Sequence, residues 1–580
     1  MSFRKFGQAV VLAALAALST SVMAFNIDKS VEGFWWESAQ QANRGWALQY
    51  LPTGPEQGVV FVAGYVYDEA GAATWVVGVS DTVYDGDYEV DLPLLAFEGG
   101  EFGPGAGAPS STAWGNLNIV FNTCNSADFT FTGGADFTQS FDAFLNVVDT
   151  DGAGYDRCVY QKAFSGCPAF AQDLGGRNCG IGGTIDQDVT LTNDTIWVMT
   201  SAVFVGARAE IGDPVPENGP TLTIEPGTRI VGTKAGRVAL IVSRGSKIIA
   251  DGQPYAPIVM TGENYYPDAA ASDWGGLVIN GAAPINVCDT PPCEAVGEGD
   301  SGAYGGDDPY DNSGVLRYVR VQFAGDKVTD EDELNGIAFQ GVGSGTVVDY
   351  VQVHRNADDA VEFFGGTVNA KHLFLTDNQD DSVDWTQGYS GKLQYVFVKQ
   401  IQDQEVETDH GMELDNLEQN NDATPRAQPR MANFTFLGKA GKNGILARRG
   451  TGGNFSNFIV SGFGDCLDID DASTFTAAGT PNNLTGVLTM ENTIFDCDTS
   501  FTEESGDPWT VESFFNAQPG NSESDPMLNV MFPPEGAAYT SGYDLDTMVY
   551  DDFFEHVDFI GAFRSEASAW HYGWTAFFPE

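Results

Sequence analysis

The sequence predicts an all-β protein built on a right-handed parallel β-helix, with an N-terminal β-sandwich or barrel-like module before it and a C-terminal cap after it. Three observations predict this. First, one apolar–x–apolar phrase recurs behind an anchor residue: Tyr318-Val319-Arg320-Val321, Tyr350-Val351-Gln352-Val353, His372-Leu373-Phe374-Leu375, Tyr395-Val396-Phe397-Val398, Asn433-Phe434-Thr435-Phe436, Asn457-Phe458-Ile459-Val460 and Asn492-Thr493-Ile494-Phe495. Second, the tightest anchor spacings are 22 (350 to 372), 23 (372 to 395) and 24 (433 to 457) residues, a solenoid period, and longer spacings read as the same unit with a loop inserted. Third, no helical period of useful length runs through these repeats, so leucine-rich and ankyrin-type units fit poorly.

Bulk composition narrows the function. The 580 residues allow two or three domains, and 42% hydrophobic with 12% aromatic content describes a folded chain. Twenty-seven basic against 81 acidic residues give a net charge of −54. That field excludes a nucleic-acid partner, and it repels polyanions and anionic membranes unless divalent cations bridge them.

In chain order, residues 1–24 read as a signal peptide: Arg4 and Lys5, the apolar stretch Ala9–Leu18, then Val22-Met23-Ala24 as the cleavage site. No later run is apolar and long enough for a transmembrane segment. The mature chain is therefore expected to be secreted, at the cell surface, extracellular or in the periplasm. Eight cysteines agree with an oxidising compartment. Cys288 and Cys293 can close a local loop, Cys466 and Cys497 lie in neighbouring coils, and the pairing of Cys124, Cys158, Cys167 and Cys179 stays open.

Residues 25–170 form the N-terminal module, with short aromatic strands at Gly33-Phe34-Trp35-Trp36, Arg44-Gly45-Trp46, Val59–Tyr67 and Thr74-Trp75-Val76-Val77. Asp68–Gly71 reads as a hairpin turn, as does Asp149–Gly152, whose flanks lack the acids of a calcium loop. These phrases resemble a small all-β module of secreted proteobacterial proteins, in which the tryptophans are expected to be core. Residues 171–183, Gly-rich from 174, read as a linker. The β-helix is placed at 184–500 and the cap at 501–580, the latter because an open last coil would expose strand edges. Segments 286–314 and 402–430 read as insertions, which in solenoids gather on one side.

From Asp273-Trp274-Gly275-Gly276-Leu277-Val278-Ile279 through Tyr304-Gly305-Gly306-Asp307-Asp308 and Glu362-Phe363-Phe364-Gly365-Gly366 to Phe559-Ile560-Gly561-Ala562-Phe563, the chain resembles a group of secreted bacterial β-helix proteins. The resemblance implies the right-handed coil and a surface or extracellular setting. It implies no reaction.

A second repeated phrase carries the chemistry. Asp358-Asp359-Ala360-Val361-Glu362-Phe363, Asp380-Asp381-Ser382-Val383-Asp384-Trp385, Asp409-His410-Gly411-Met412-Glu413-Leu414, Lys442-Asn443-Gly444-Ile445-Leu446-Ala447 and Gly464-Asp465-Cys466-Leu467-Asp468-Ile469 stack in register. Alternation along a strand turns Val361, Val383, Met412, Ile445 and Leu467 inward, and likewise Phe363, Trp385, Leu414, Ala447 and Ile469. Glu362, Asp384, Glu413, Leu446 and Asp468 then face outward, one coil apart. Stacked carboxylates require a cation, a shared proton, or Lys442, Arg448 and Arg449. Calcium is the expected cation, and its ligand set is Asp358, Asp359, Glu362, Asp380, Asp381, Asp384, Asp409, Glu413, Asp415, Asp465, Asp468 and Asp470.

Two other readings compete. The order Asn356-Ala357-Asp358-Asp359, Asp380-Asp381, His410-Gly411, Ala447-Arg448-Arg449 loosely resembles the polygalacturonase family of polysaccharide hydrolases, which implies catalytic roles for Asp380, Asp381, His410 and Arg448. A lyase using calcium and an arginine base is equally open. Or the acids only cap tight corners. His354, His372 and His556 are expected to be packing or surface residues. The expected function is non-catalytic glycan binding or adhesion to a cell-surface component, with calcium stabilising the acidic coils.

Overall fold

A computed structural model describes Ile27, nine strands between Gly33 and Ala143 with parts of their turns, Phe164, and residues 166–576 apart from 235–237, 255, 265–267, 330–331, 404–405, 481, 534–551 and 573. The expected signal peptide, both module turns, Cys124 and Cys158 lie outside the described residues. The chain divides into two compact units, Met1–Thr53 with Gln57–Cys158, and Gly54–Glu56 with Val159–Glu580.

In the first unit Gly45–Gly54 pairs with both Gly33–Glu37 and Gln57–Tyr67, so the nine-stranded antiparallel sheet curls back on itself as a barrel. Strand alternation puts Trp35, Trp46, Phe121, Phe129, Phe131 and Phe141 inside. Trp35 meets Phe121 edge-on, with ring centres 5.5 Å apart. Trp75 departs from the expected burial and is 50% exposed on the outer side.

The stretch read as a linker is a hairpin. Gln172–Gly175 and Asn178–Ile185 pair antiparallel and begin the second unit's sheet. The glycines that suggested a flexible tether serve the turn, with φ of 93° at Gly175 and 61° at Gly176. Cys179 and Ile181 pack into the coil, and Cys167–Cys179 joins the expected disulfides Cys288–Cys293 and Cys466–Cys497.

From there the chain winds as a right-handed parallel β-helix with three faces. One face runs through Thr221–Ile224, Lys247–Asp251 and the first halves of Gly314–Gln322, Val347–His354 and Asn369–Thr376. The second carries the later halves of those bent strands: Val319, Val351, Leu373, Val396, Phe434 and Phe458 stand in register and are buried. The third runs from Ala239–Val242 and Gly276–Asn280 to Asp465–Ile469. One continuous apolar core fills the coil.

The anchor residues are the corners between the first two faces. Tyr318, Tyr350, His372, Tyr395, Asn433, Asn457 and Asn492 all adopt left-handed backbone, with φ between 49° and 64°. For Tyr and His this costs about 1 kcal/mol or more each. Stacking offsets it: the ring centres of Tyr318–Tyr350, Tyr350–His372 and His372–Tyr395 lie 4.5, 4.1 and 4.9 Å apart. Later corners use asparagine, which tolerates this conformation.

The expected cap splits in two. Thr499–Phe501 and Ser522–Glu523 extend the sheet, and the helix Val511–Ala517 closes the last coil with Val511, Phe514 and Phe515. Residues 552–576 instead run back along the outside. Gln394 exchanges two hydrogen bonds with the Glu555 backbone (2.8 and 3.0 Å), and Gln352 does the same with Ala576. Trp574 packs edge-on against Tyr318 and Tyr350. An aromatic column on the outer corner needs a cover as much as an open end does.

Candidate functional site: an acidic face

The site lies on the third face. Its register is Ile337↔Val361↔Val383↔Met412↔Ile445↔Leu467 for one inward column and Phe339↔Phe363↔Trp385↔Leu414↔Ala447↔Ile469 for the other, all buried. Between them Ala338, Glu362, Asp384, Glu413, Leu446 and Asp468 point outward, as the alternation requires.

Two residues ahead of the first inward column stand Asp359, Asp381 and His410, whose side chains clamp one coil to the next. Asp359 Oδ1 accepts the Asp381 N–H at 3.0 Å, and Asp381 Oδ1 accepts the His410 N–H at 2.6 Å. Asp381 Oδ1 also lies 2.9 Å from His410 Nδ1. Corner capping thus describes part of what Asp359 and Asp381 do. It leaves the neighbouring acids unexplained, since among the described residues three groups bring ligand-competent atoms within 4.8 Å of one another: Asp358, Asp359 and Asp380; Asp359, Glu362 and Asp384; and Asp381, His410 and Glu413.

Arginines serve the Glu413 end. Arg448 reaches Glu413 and, at 3.1 Å, Asp415, while Arg449 bridges Asp415 at 2.6 Å and Glu418 at 3.1 Å. At the other end Glu362 receives a neutral donor, Asn335 Nδ2, at 2.7 Å, and the same amide donates to Glu298 at 2.9 Å. Between Glu362, Asp384, Glu413, Asp415, Glu418 and Arg449 opens a cleft of ≈ 270 Å³.

The electrostatics follow. Burial, then the charges of adjacent acids, hold Asp359, Glu362 and Asp384 well above the usual carboxylate range. Asp380 is pushed up to about 7 by burial and by Asp381 and Asp409. Glu413 is pushed up to about 7 by burial and Asp381, against the pull of Arg448. Burial alone would lower His410, but the hydrogen bond and charge of Asp381, with Asp409 and Glu413, carry it up to about 9. Clustered hard oxygens are donors of the type a divalent cation such as calcium takes, six to eight at a time in loose geometry.

The remaining expected residues fall outside these groups. Asp409 has a side chain 55% exposed, 3.9 Å from His410 Nε2. Asp415 is engaged by the two arginines. Asp465, Asp468 and Asp470 lie beyond Leu446, the break in the outward column. Burial and Asp470 push Asp468 up to about 6, while burial and Glu504 raise Asp470.

Asn335 and Glu298 were not anticipated. Asn335-Gly336-Ile337-Ala338 repeats the Asn443-Gly444-Ile445-Leu446 phrase four coils earlier, on the far side of the three acidic coils, which is a legible signal. Glu298 arrives on the 286–314 insertion, and no local pattern marks it.

His354 is buried against Thr376 at 2.8 Å, and His372 stacks in the corner column 2.7 Å from Asp349. His556 is exposed.

A family model described as "Pectate-lyase like beta helix domain" matches residues 183–526. No curated protein and no solved structure matches the chain.

Proposed function

The chain belongs to the pectate-lyase-like β-helix family, and from that premise we propose that it is an exported, non-catalytic glycan-binding protein whose acidic face holds calcium. One observation carries the reading: Asp359 is shared between two groups of acids on consecutive coils, each with its ligand-competent oxygens within 4.8 Å of one another. Asp358, Asp359 and Asp380 would hold one cation and Asp359, Glu362 and Asp384 another. Calcium supplies open coordination positions for sugar hydroxyls or carboxylates, and it turns a surface that repels acidic polysaccharides into one that takes them. Asn335 orients Glu362, while Arg448 and Arg449 keep Glu413 and Asp415 in place at the edge of the cleft. A glycan array with and without calcium tests this. Calcium-dependent binding without chain shortening, weakened in Asp384→Asn, is the expected result; binding indifferent to calcium refutes it.

A hydrolase is the second reading, favoured by Asp380 and Glu413, both pushed up to about 7 on either side of the Asp381–His410 pair. Such a carboxyl can donate a proton near neutrality. Release of reducing ends that Asp381→Asn abolishes while binding persists would establish it. The lyase variant is disfavoured, because Asp415 and Glu413 hold Arg448 charged against the effect of its burial, and a charged guanidinium is no base.

A further inference from the structure

Among the groups on the acidic face, one differs in kind. Asp381, His410 and Glu413 bring an imidazole nitrogen together with two carboxylate oxygens, on side chains only 5%, 10% and 15% exposed. His410 Nδ1 lies 2.9 Å from Asp381 Oδ1 and 3.6 Å from Glu413 Oε2. A four-coordinate ion with bonds of about 2.0–2.1 Å sets neighbouring donors about 3.3 Å apart, so these distances bracket the required edge. The two Glu413 oxygens divide their work: Oε1 takes Arg448, leaving Oε2 toward His410. The far ring nitrogen, Nε2, has the Asp409 carboxylate 3.9 Å away. A metal-bound imidazole usually donates its other N–H to such a carboxylate, which fixes the ring.

We infer that Asp381, His410 and Glu413 form a binding site for a borderline transition-metal ion of the zinc class, separate from the oxygen-only calcium positions. The donor set decides the class. Imidazole suits zinc and its neighbours in the first transition row, whereas calcium takes oxygen ligands. Binding displaces the Nδ1 proton to solvent and leaves Nε2–H toward Asp409. Asp359, which accepts the Asp381 N–H, and Arg448 act as positioning residues. Glu413 also lines the cleft, so a fourth ligand can reach the ion from there. This inference goes beyond the glycan reading and needs neither a sugar nor calcium.

The test uses the full chain, stripped with a chelator and titrated with zinc chloride in millimolar calcium. One zinc should bind per chain, and calcium should not displace it. His410→Gln should weaken zinc by more than the ~10–100-fold that loss of an outer-shell partner costs, and Asp409→Asn by about that amount. Calcium binding should be unchanged in both variants. Because a variant at a clamped position could lose its fold, cobalt(II) is added to the unmodified protein as a second measurement. A four-coordinate site gives intense visible ligand-field bands, abolished by one equivalent of zinc. Zinc that calcium displaces, zinc affinity unchanged in folded His410→Gln, or the spectrum of hydrated cobalt would each overturn the assignment. Failure of the glycan array would leave it standing.

Discussion

Replacing Asp384 with Asn should change the sign of its effect on stability when calcium is added. Asp384 stands outward between Glu362 and Glu413, in ligand range of Asp359 and Glu362. Two carboxylates ~4.8 Å apart repel by about 3.5 kcal/mol at an effective dielectric near 20, and partial solvent screening brings the net relief on removing one charge to roughly 1–2 kcal/mol. The pH window follows from the raised carboxyls. A folded-state pKa above the unfolded value gives stability that is complete below the unfolded pKa and is lost as pH rises through the folded one. For Asp380 and Glu413 that loss runs from about pH 4 through about 7, and it extends higher for Asp359, Glu362 and Asp384. In chelator, calorimetry should therefore find the wild type less stable at pH 8 than at pH 5. Asp384→Asn should be more stable than wild type at pH 8 and nearly equal to it at pH 5. With calcium at about 100 times its Kd, ligand binding adds ~2.7 kcal/mol to the wild type, and the variant lacking a ligand should become the less stable. The same sign in both buffers, or no pH dependence in chelator, would refute the cation requirement of this face.

Three more outcomes check the architecture and the metal. Val361→Asp puts an unpaired charge in the fully buried inward column and should cost several kcal/mol or abolish folding, whereas Glu362→Gln one residue on should be mild in chelator; urea melts compare them. Millimolar calcium should raise the melting temperature more than equal magnesium, which demands tighter octahedral geometry, and equal shifts with both ions and with matched monovalent salt would reduce the effect to screening of the −54 charge. Trp574→Ala should cost about 3–5 kcal/mol, because Trp574 is buried against the corner column, and limited proteolysis should then release the 552–576 segment.

What was legible in the sequence was what repeats locally. Side-chain alternation has a period of two, so Val361-Glu362-Phe363 and Val383-Asp384-Trp385 announce their facing and their register before any coil is built, and both stand as expected. The regular anchors likewise marked something structural, although their left-handed corner geometry is a backbone property that residue type alone does not specify in Tyr or His. Tertiary structure decided whatever depends on loops of unequal length. Asp381 and His410 are 29 residues apart instead of 22, the added residues falling between Lys399 and His410, yet the two stay clamped one coil apart. Glu298 meets Asn335 across 37 residues, and Ala576 meets Gln352 across 224. Glycines 175 and 176 read equally as tether or turn until Cys167–Cys179 and the hairpin register distinguish them. The physical reason is common to all of these: a strand's facing is set by neighbours one and two residues away, whereas a contact closed through a loop is set by the packed coil that positions both ends.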